Sequence, residues 1–170
     1  MASLMEDFVD ILEKENTEYE RLTELSTEKR QIIIEGNIPA LEDITGREQE
    51  ITSNLKNLEN KREQVVKDMA IVLSKDPKEL TITNMIAFLN KQPEEQQRLQ
   101  SIRERLKTTL EQMADINAQN DVLLNQALEM VEFDLTLFKS MRQAPTTANY
   151  DKQANNTGDV LGSRGFDAKQ

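Results

Sequence analysis

Apolar residues recur in alternating steps of three and four along three long stretches of the chain. This spacing places them on one face of an α-helix and predicts amphipathic helices of the coiled-coil type. The second stretch contains Leu41, Ile44, Glu48, Ile51, Leu55, Leu58, Arg62, Val65, Met69 and Val72. The third contains Leu99, Ile102, Leu106, Thr109, Met113, Ile116, Asn120, Leu123, Ala127, Met130, Asp134, Leu137 and Met141. The pattern predicts an all-α protein built from three long helices.

Local signals predict where the helices begin and end. Ser3 and Glu6 have the spacing of a capping box, which favours a helix start at Ser3. Gly36 can take the left-handed conformation that ends a helix, and Asn37 is a favourable cap for the next one. Pro93 suits the first turn of the third long helix. The predicted helices cover about residues 3–35, 38–74, 82–91 and 93–142, where the short one connects the second long helix to the third.

The first two long helices are expected to form an antiparallel hairpin because only a tight turn separates them. Residues whose numbers add up to about 77 then face each other, which pairs Phe8 with Met69, Glu15 with Arg62, Leu22 with Leu55, and Lys29 with Glu48. A slip of one heptad would place the Glu15 carboxylate against Leu55, which is costly. We therefore predict that Glu15, Arg62, Lys29 and Glu48 specify the register.

The third long helix is longer than its predicted partners. In a second hairpin, residues whose numbers add up to about 168 face each other, so that Asn120 lies opposite Glu48 and the second helix ends near Ala127. About 14 residues, or roughly 20 Å of helix, are left without a partner. The predicted fold is an antiparallel three-helix coiled-coil bundle with a short connecting helix and an overhanging third helix.

Residues 144–170 are rich in Asn, Asp, Thr, Gly and Ala and have no periodicity, which predicts a disordered tail. The chain is thus divided into a helical domain, residues 1–143, and this tail. Tyr150 lies isolated in the tail. It is either part of a short linear motif that folds on binding or inert.

Composition excludes several classes of function. The 170-residue chain has a net charge of -10, which argues against binding to nucleic acid or to an anionic membrane surface. It contains neither cysteine nor histidine, so disulfides, thiolate chemistry, imidazole bases and ordinary zinc sites are not expected. No cofactor and no metal are expected, and an enzyme of the carboxylate di-iron type, which would need His, is a remote alternative.

Targeting signals are also missing from the sequence. No apolar stretch approaches the roughly 20 residues of a membrane span, so membrane insertion is not expected. The opening residues MASLMEDF lack the basic and apolar regions of a signal peptide, which favours a cytoplasmic location.

The end of the third helix is the best candidate for function. A second apolar stripe flanks the first, and two stripes form a face wide enough for two neighbours. We interpret this face as a docking surface for the helix of a client protein. The alternatives are a homodimer contact, which could mask the site until a client displaces it, a structural coiled coil, or a kink that folds the helix end back. The predicted client-binding residues are Asn117, Asn120, Leu124, Leu128, Val131, Leu135, Phe138 and Met141.

Polar residues near this surface have two interpretations each. Asn117 and Asn120 either bind the backbone of a partner or form a polar layer that specifies register, and the second is favoured for Asn120. The carboxylates of Glu129, Glu132 and Asp134 could be imagined as metal ligands, but a solvated helix face is the better interpretation.

The chain resembles the FlgN-type flagellar export chaperones over its whole helical body. The resemblance rests on Glu15-x-x-x-Tyr19-x-x-Leu22-x-x-Leu25-x-x-x-Lys29-Arg30, on Glu35-Gly36-Asn37-Ile38-Pro39-Ala40-Leu41, on Glu48-Gln49-Glu50, on Leu58-Glu59-x-x-Arg62, on Asn117-x-x-Asn120-x-x-Leu123-Leu124-x-x-Ala127-Leu128, and on Tyr150 with Gly165-Phe166-Asp167 in the tail. Each motif is degenerate, but their order and spacing together are fairly specific.

The resemblance implies a cytoplasmic chaperone that holds hook-associated proteins, which form the hook–filament junction, before type III secretion. Such chaperones bind the C-terminal amphipathic helices of their clients, block premature assembly and deliver the clients to the export gate. The client surface of the family corresponds to the helix from Asn120 onward in this chain. The resemblance also implies that Tyr150 docks on the cytoplasmic domain of the export gate.

Overall fold

The structure, a computed structural model, describes residues 2–143. These residues form helices α1 (Ala2–Glu35), α2 (Ile38–Leu73), α3 (Ile82–Phe88) and α4 (Pro93–Gln143), with a 3₁₀ turn at Pro77–Glu79 between α2 and α3. The predicted all-α class is confirmed, and no strand occurs among the described residues. The predicted tail and Tyr150 lie outside the described residues. The chain divides between Leu123 and Leu124 into two units, which are described separately below.

The turn between α1 and α2 follows the predicted local signals. Gly36 has a φ of +66°, a left-handed conformation that costs glycine little. The Asn37 side chain accepts a hydrogen bond of 3.1 Å from the backbone N–H of Ala40, and this caps α2. Pro39 lies in the first turn of α2, where its missing N–H has no cost. The chain therefore reverses direction within two residues.

Two predicted helix ends were wrong. α1 already includes Ala2, so Ser3 lies in its first turn rather than at its cap. The connecting helix α3 ends at Phe88 instead of residue 91, and a turn closed by a 2.9 Å bond from the Gln92 N–H to the Leu89 carbonyl follows it. Asn90 follows the cap residue Leu89, and Asn favours turns over helix interiors.

The first hairpin has the register that the pairing of numbers predicted. Arg62 Nε lies 3.1 Å from Glu15 Oε1, and Lys29 Nζ lies 3.2 Å from Glu48 Oε2. Their apolar counterparts pack in the same clusters of the core, Phe8 and Met69 in one, Leu22 and Leu55 in the other. The four charged residues thus form the two predicted pairs. That these pairs specify the register stays a prediction.

The larger part of the core brings together all four helices of the first unit. It lies where the start of α1 meets the end of α2, and α3 and the start of α4 complete it. Its buried members are Met5, Phe8, Val9, Leu12, Met69, Ala70, Leu80, Met85, Leu89, Leu99, Ile102 and Leu106. Burial of these side chains is the main favourable term that holds α4 on the hairpin, at about 25 cal/mol per Å² of apolar surface.

A smaller cluster lies nearer the turn of the hairpin and takes its members from α1 and α2. Leu25, Ile44 and Ile51 are buried there. At this level α4 meets α1 through polar side chains instead. The amide of Asn120 donates to the Ser26 carbonyl at 2.7 Å, and the Ser26 hydroxyl donates to the Asn117 amide oxygen at 3.1 Å.

These contacts also give the direction of α4. Arg98, near the start of α4, forms an ion pair with Asp10 near the start of α1, whereas Asn117 further along α4 bonds to Ser26 further along α1. Residue numbers therefore rise in the same direction along both helices, which run parallel. The Asn120 amide binds Ser26, and Glu48 pairs with Lys29. That Asn120 lies opposite Glu48 stays a prediction. Asn120 belongs to a polar layer, as favoured from the sequence.

Candidate functional site

The C-terminal segment of α4, from Leu124 to Gln143, is an amphipathic helix whose apolar side chains are exposed. Its eight large apolar residues from Leu128 onward have exposed fractions between 46% and 67%. They are Leu128, Met130, Val131, Phe133, Leu135, Leu137, Phe138 and Met141. Leu124 is half-buried. Single exposed apolar side chains are ordinary, but a continuous set of this size on one helix indicates an interaction surface.

Helical spacing arranges these residues in two adjacent stripes. The predicted stripe contains Leu124, Leu128, Val131, Leu135 and Phe138, which follow one another by three or four residues. Met130, Leu137 and Met141, which belong to the heptad run of the third long helix, form the other stripe beside it. We call these eight residues together the apolar face. Glu129 lies on the other side of the helix, Glu132 and Lys139 lie at the edge of the apolar face, and all three are exposed to solvent.

The site prediction missed Phe133. Its side chain is 58% exposed, and it follows Met130 by three residues and precedes Leu137 by four. Phe133 therefore widens the apolar face at the edge formed by Met130 and Leu137. The sequence signal for Phe133 is its position three residues after Met130. Its chain neighbours Glu132 and Asp134 are charged, which favoured a solvated helix face at this position instead.

Asn117 and Asn120 belong to the first unit, where Ser26 binds both. Asn120 is only 4% exposed, and its amide oxygen has no hydrogen-bond partner among the described residues. Asn117 is exposed, and its oxygen accepts from Ser26. The client-binding role of both residues stays a prediction. The structure shows that Asn120 contributes to the packing of α4 on α1.

The first unit contains a second polar feature, around the buried Glu15. Burial raises the pKa of this carboxyl above its usual 4.5, while the charge of Arg62 lowers it and that of Glu59 raises it. Burial also raises the pKa of the neighbouring Tyr19 hydroxyl. The contact between Arg62 Nε and Glu15 Oε1, at 3.1 Å, acts mainly through the charge of Arg62. This polar feature is structural, because the positive charge of Arg62 offsets part of the cost of burying the Glu15 carboxylate, which is only 5% exposed.

Two other kinds of site are not found among residues 2–143. No group of three or more carboxylates there is arranged to hold a metal ion. In the same part of the chain no helix combines the length and the apolar character that crossing a membrane requires. The arrangement of the C-terminal segment supports binding to a protein partner.

The model of the family described as FlgN protein matches residues 1–158. The chain belongs to the FlgN family. The match extends over every described helix, and the resemblance seen in the sequence is confirmed. Comparisons with curated proteins and with solved structures found no match. Membership in the FlgN family supports a role as a flagellar export chaperone in flagellum assembly, and this is a family of chaperones rather than of enzymes.

Proposed function

We propose that this FlgN family member is a cytoplasmic export chaperone for hook-associated proteins of the hook–filament junction. It binds the C-terminal amphipathic helix of a client on the apolar face of α4. While bound, it keeps the client unassembled, and it delivers the client to the cytoplasmic domain of the flagellar type III export gate. The observation that carries this proposal is the exposure of the apolar face in the folded chain.

The chemistry of the face supports a helical client. Leu124, Leu128, Val131 and Leu135 recur at the spacing that complements apolar residues i, i+3, i+4 and i+7 of a second helix. At about 25 cal/mol per Å², burial of some hundreds of Å² leaves a useful affinity after the costs of association. The two stripes leave the face wide enough for a second neighbour. Affinity of this origin is moderate, as a chaperone that must release its client requires.

The proposal is tested by a charge placed on the apolar face. We expect Leu128→Glu and Val131→Glu to abolish binding of a purified junction protein, measured by calorimetry, because a carboxylate would be buried without a partner. Thr136→Glu is the matched control, since it adds the same charge on the other side of the same segment. Circular dichroism should show unchanged helicity in all three variants. Loss of helicity in the first two, or equal binding by all three, would contradict the proposal.

A second experiment identifies the client. The wild-type chain and the Val131→Glu variant are used to capture proteins from an extract of flagellated cells, and the captured proteins are identified by mass spectrometry. We expect hook-associated proteins with the wild type and their loss with the variant. Capture of the same proteins by both chains would place the client site elsewhere.

The delivery step assigns gate docking to Tyr150, which lies outside the described residues. We expect Tyr150→Ala to weaken binding to the cytoplasmic domain of the export gate while binding to the junction protein stays unchanged. The separation of the two effects is the test. A loss of both would show that Tyr150 belongs to the client site instead.

Self-association through the same apolar face is the second candidate function. Its supporting observation is again the exposed heptad-spaced face, which a second copy of the chain could cover. This candidate predicts a mass that rises with concentration in sedimentation experiments and returns to that of a monomer in Val131→Glu. A monomer at all concentrations contradicts it.

A further inference from the structure

One carboxylate, that of Asp134, lies within the apolar face. On a helix the surface neighbours of a residue are those three and four positions away. For Asp134 these are Met130, Val131, Leu137 and Phe138, and all four are apolar and 46% to 62% exposed. Asp134 therefore occupies a heptad position where the other members of its run are mainly apolar.

The other charges of the segment are placed differently. Glu129 lies on the opposite side of the helix, and Glu132 and Lys139 lie at the edge of the apolar face, next to Leu128 or Leu135. Asp134 takes part in none of the ion pairs formed between described residues. The guanidinium of Arg142 lies over the Phe138 ring, at 5.6 Å from its centre. Among the described residues, no cation pairs with the carboxylate of Asp134, so only solvent water stabilises its charge.

A helix that covers the four neighbours of Asp134 must also remove this water. An ionised carboxylate buried without a partner is strongly unfavourable, whereas a carboxylate paired with a guanidinium or an ammonium in the same place is tolerated and directional. The apolar neighbours supply affinity that depends little on the identity of the partner. Asp134 makes that affinity conditional on a cation at one position.

We propose that Asp134 determines the specificity of the docking surface, by selecting a client helix with an Arg or Lys inside its own apolar stripe. This inference rests on the proposed client-binding function and adds the charge that the client must carry. The basic residue is flanked at i±3 or i±4 by apolar residues, which contact Val131, Leu137 and their neighbours.

The same carboxylate argues for a client rather than a second copy of this chain. In a parallel, in-register pair of α4 helices, each Asp134 would face the Asp134 of the other copy in an apolar contact. Like charges so placed repel each other and destabilise the pair. The apolar face is therefore better matched to a helix of different sequence and opposite charge.

The test compares two acidic residues of the same segment. The probe is the purified C-terminal segment of a hook–filament junction protein from the same bacterium, and the readout is its dissociation constant for the full chain. We expect Asp134→Lys to weaken binding by about tenfold or more, because it places a cation against the client's cation. Asp134→Asn should weaken binding by a smaller factor. Glu129→Lys makes the same charge change on the solvated side, and it should alter binding by less than about threefold.

A charge exchange provides the decisive measurement. Replacement of the basic residue in the apolar stripe of the probe by Glu should weaken binding to the wild type and restore binding to Asp134→Lys. Equal effects of Asp134→Lys and Glu129→Lys would show a general electrostatic effect and would overturn the inference. The same conclusion follows if sedimentation shows a dimer that Asp134→Lys dissociates. If the wild type does not bind the probe and Val131→Glu changes nothing, the proposed function itself fails.

Discussion

In the first part of α4, Leu99 and Ile102 are almost completely buried, whereas in the last part Leu128 and Val131 are more than half exposed. Both parts continue one heptad pattern on one unbroken helix. The difference arises because α1, α2 and α3 contribute apolar side chains to the cluster around Leu99, while the apolar face stays open to solvent. A heptad pattern thus shows that a helix needs a partner, and the location of that partner decides between stability and binding.

The largest expected difference between the two parts is in hydrogen exchange. Amides near Leu99 and Ile102 should exchange only through global unfolding, which has a free energy of about 5–15 kcal/mol, because these residues lie in the main core. Amides from Leu128 to Met141 should exchange through local opening at a much lower free energy. Native-state exchange read by mass spectrometry measures both. Similar protection in the two parts would show that the apolar face is covered in solution.

Truncation of one leucine in each part tests the same comparison by stability. We expect Leu99→Ala to lower the free energy of unfolding by about 2–5 kcal/mol, because it leaves a cavity in the core. Leu128→Ala should change that free energy by less than about 0.5 kcal/mol, because its side chain is exposed. Urea denaturation followed by circular dichroism is the measurement. The comparison fails if the two variants lose similar stability.

Loss of the hydrogen bond between Asn120 and Ser26 is expected to have an intermediate effect on the free energy of unfolding. Asn120→Ala removes a buried hydrogen bond to the Ser26 carbonyl and should cost about 1–3 kcal/mol. Asn125→Ala makes the same change at an exposed position of the same helix and serves as the control. Denaturation curves of both variants provide the test, and equal stability of the two would mean that this hydrogen bond does not hold α4 in place.

The smallest effect concerns the pH dependence contributed by Glu15. Because burial raises the pKa of its carboxyl above 4.5, the folded chain binds this proton at a higher pH than the unfolded chain. The contribution of Glu15 to stability is therefore largest below pH 4.5 and is lost as the pH rises through the folded-state pKa. We expect the wild type to gain stability relative to Glu15→Gln as the pH falls from 7 to about 4.

The measurement is the difference in free energy of unfolding between the two chains at each pH. The exposed Glu13 provides the control variant, Glu13→Gln. A difference between wild type and Glu15→Gln that is constant with pH, or that changes in the opposite direction, would show that Arg62 outweighs burial at this site.

Local chemistry made much of the first hairpin predictable. Gly36 and Asn37 have conformational preferences that depend on few neighbours, and they define a turn so short that it leaves α1 and α2 one antiparallel register. The opposite charges of Glu15 with Arg62 and of Lys29 with Glu48 agree with that register. The exposure of Leu128 and Val131 followed from helix length, since the third long helix exceeds the other two.

The placement of α4 could not be derived in the same way. The connection that contains α3 is long enough to permit several registers between α2 and α4, so the position of Asn120 opposite Glu48 stays a prediction. The end of α3 was misplaced because the polar residues Asn90, Lys91 and Gln92 carry no apolar position that would show where the helix stops.

The sequence alone determined the helices, the first hairpin and the presence of an apolar surplus near the end of α4, because these depend on residue spacing and on short-range preferences. Only the tertiary structure decided that Ser26 binds Asn120, that Leu99 is covered and that the apolar face is open. Burial depends on which side chains from distant parts of the chain reach one place, and periodicity carries no information about that.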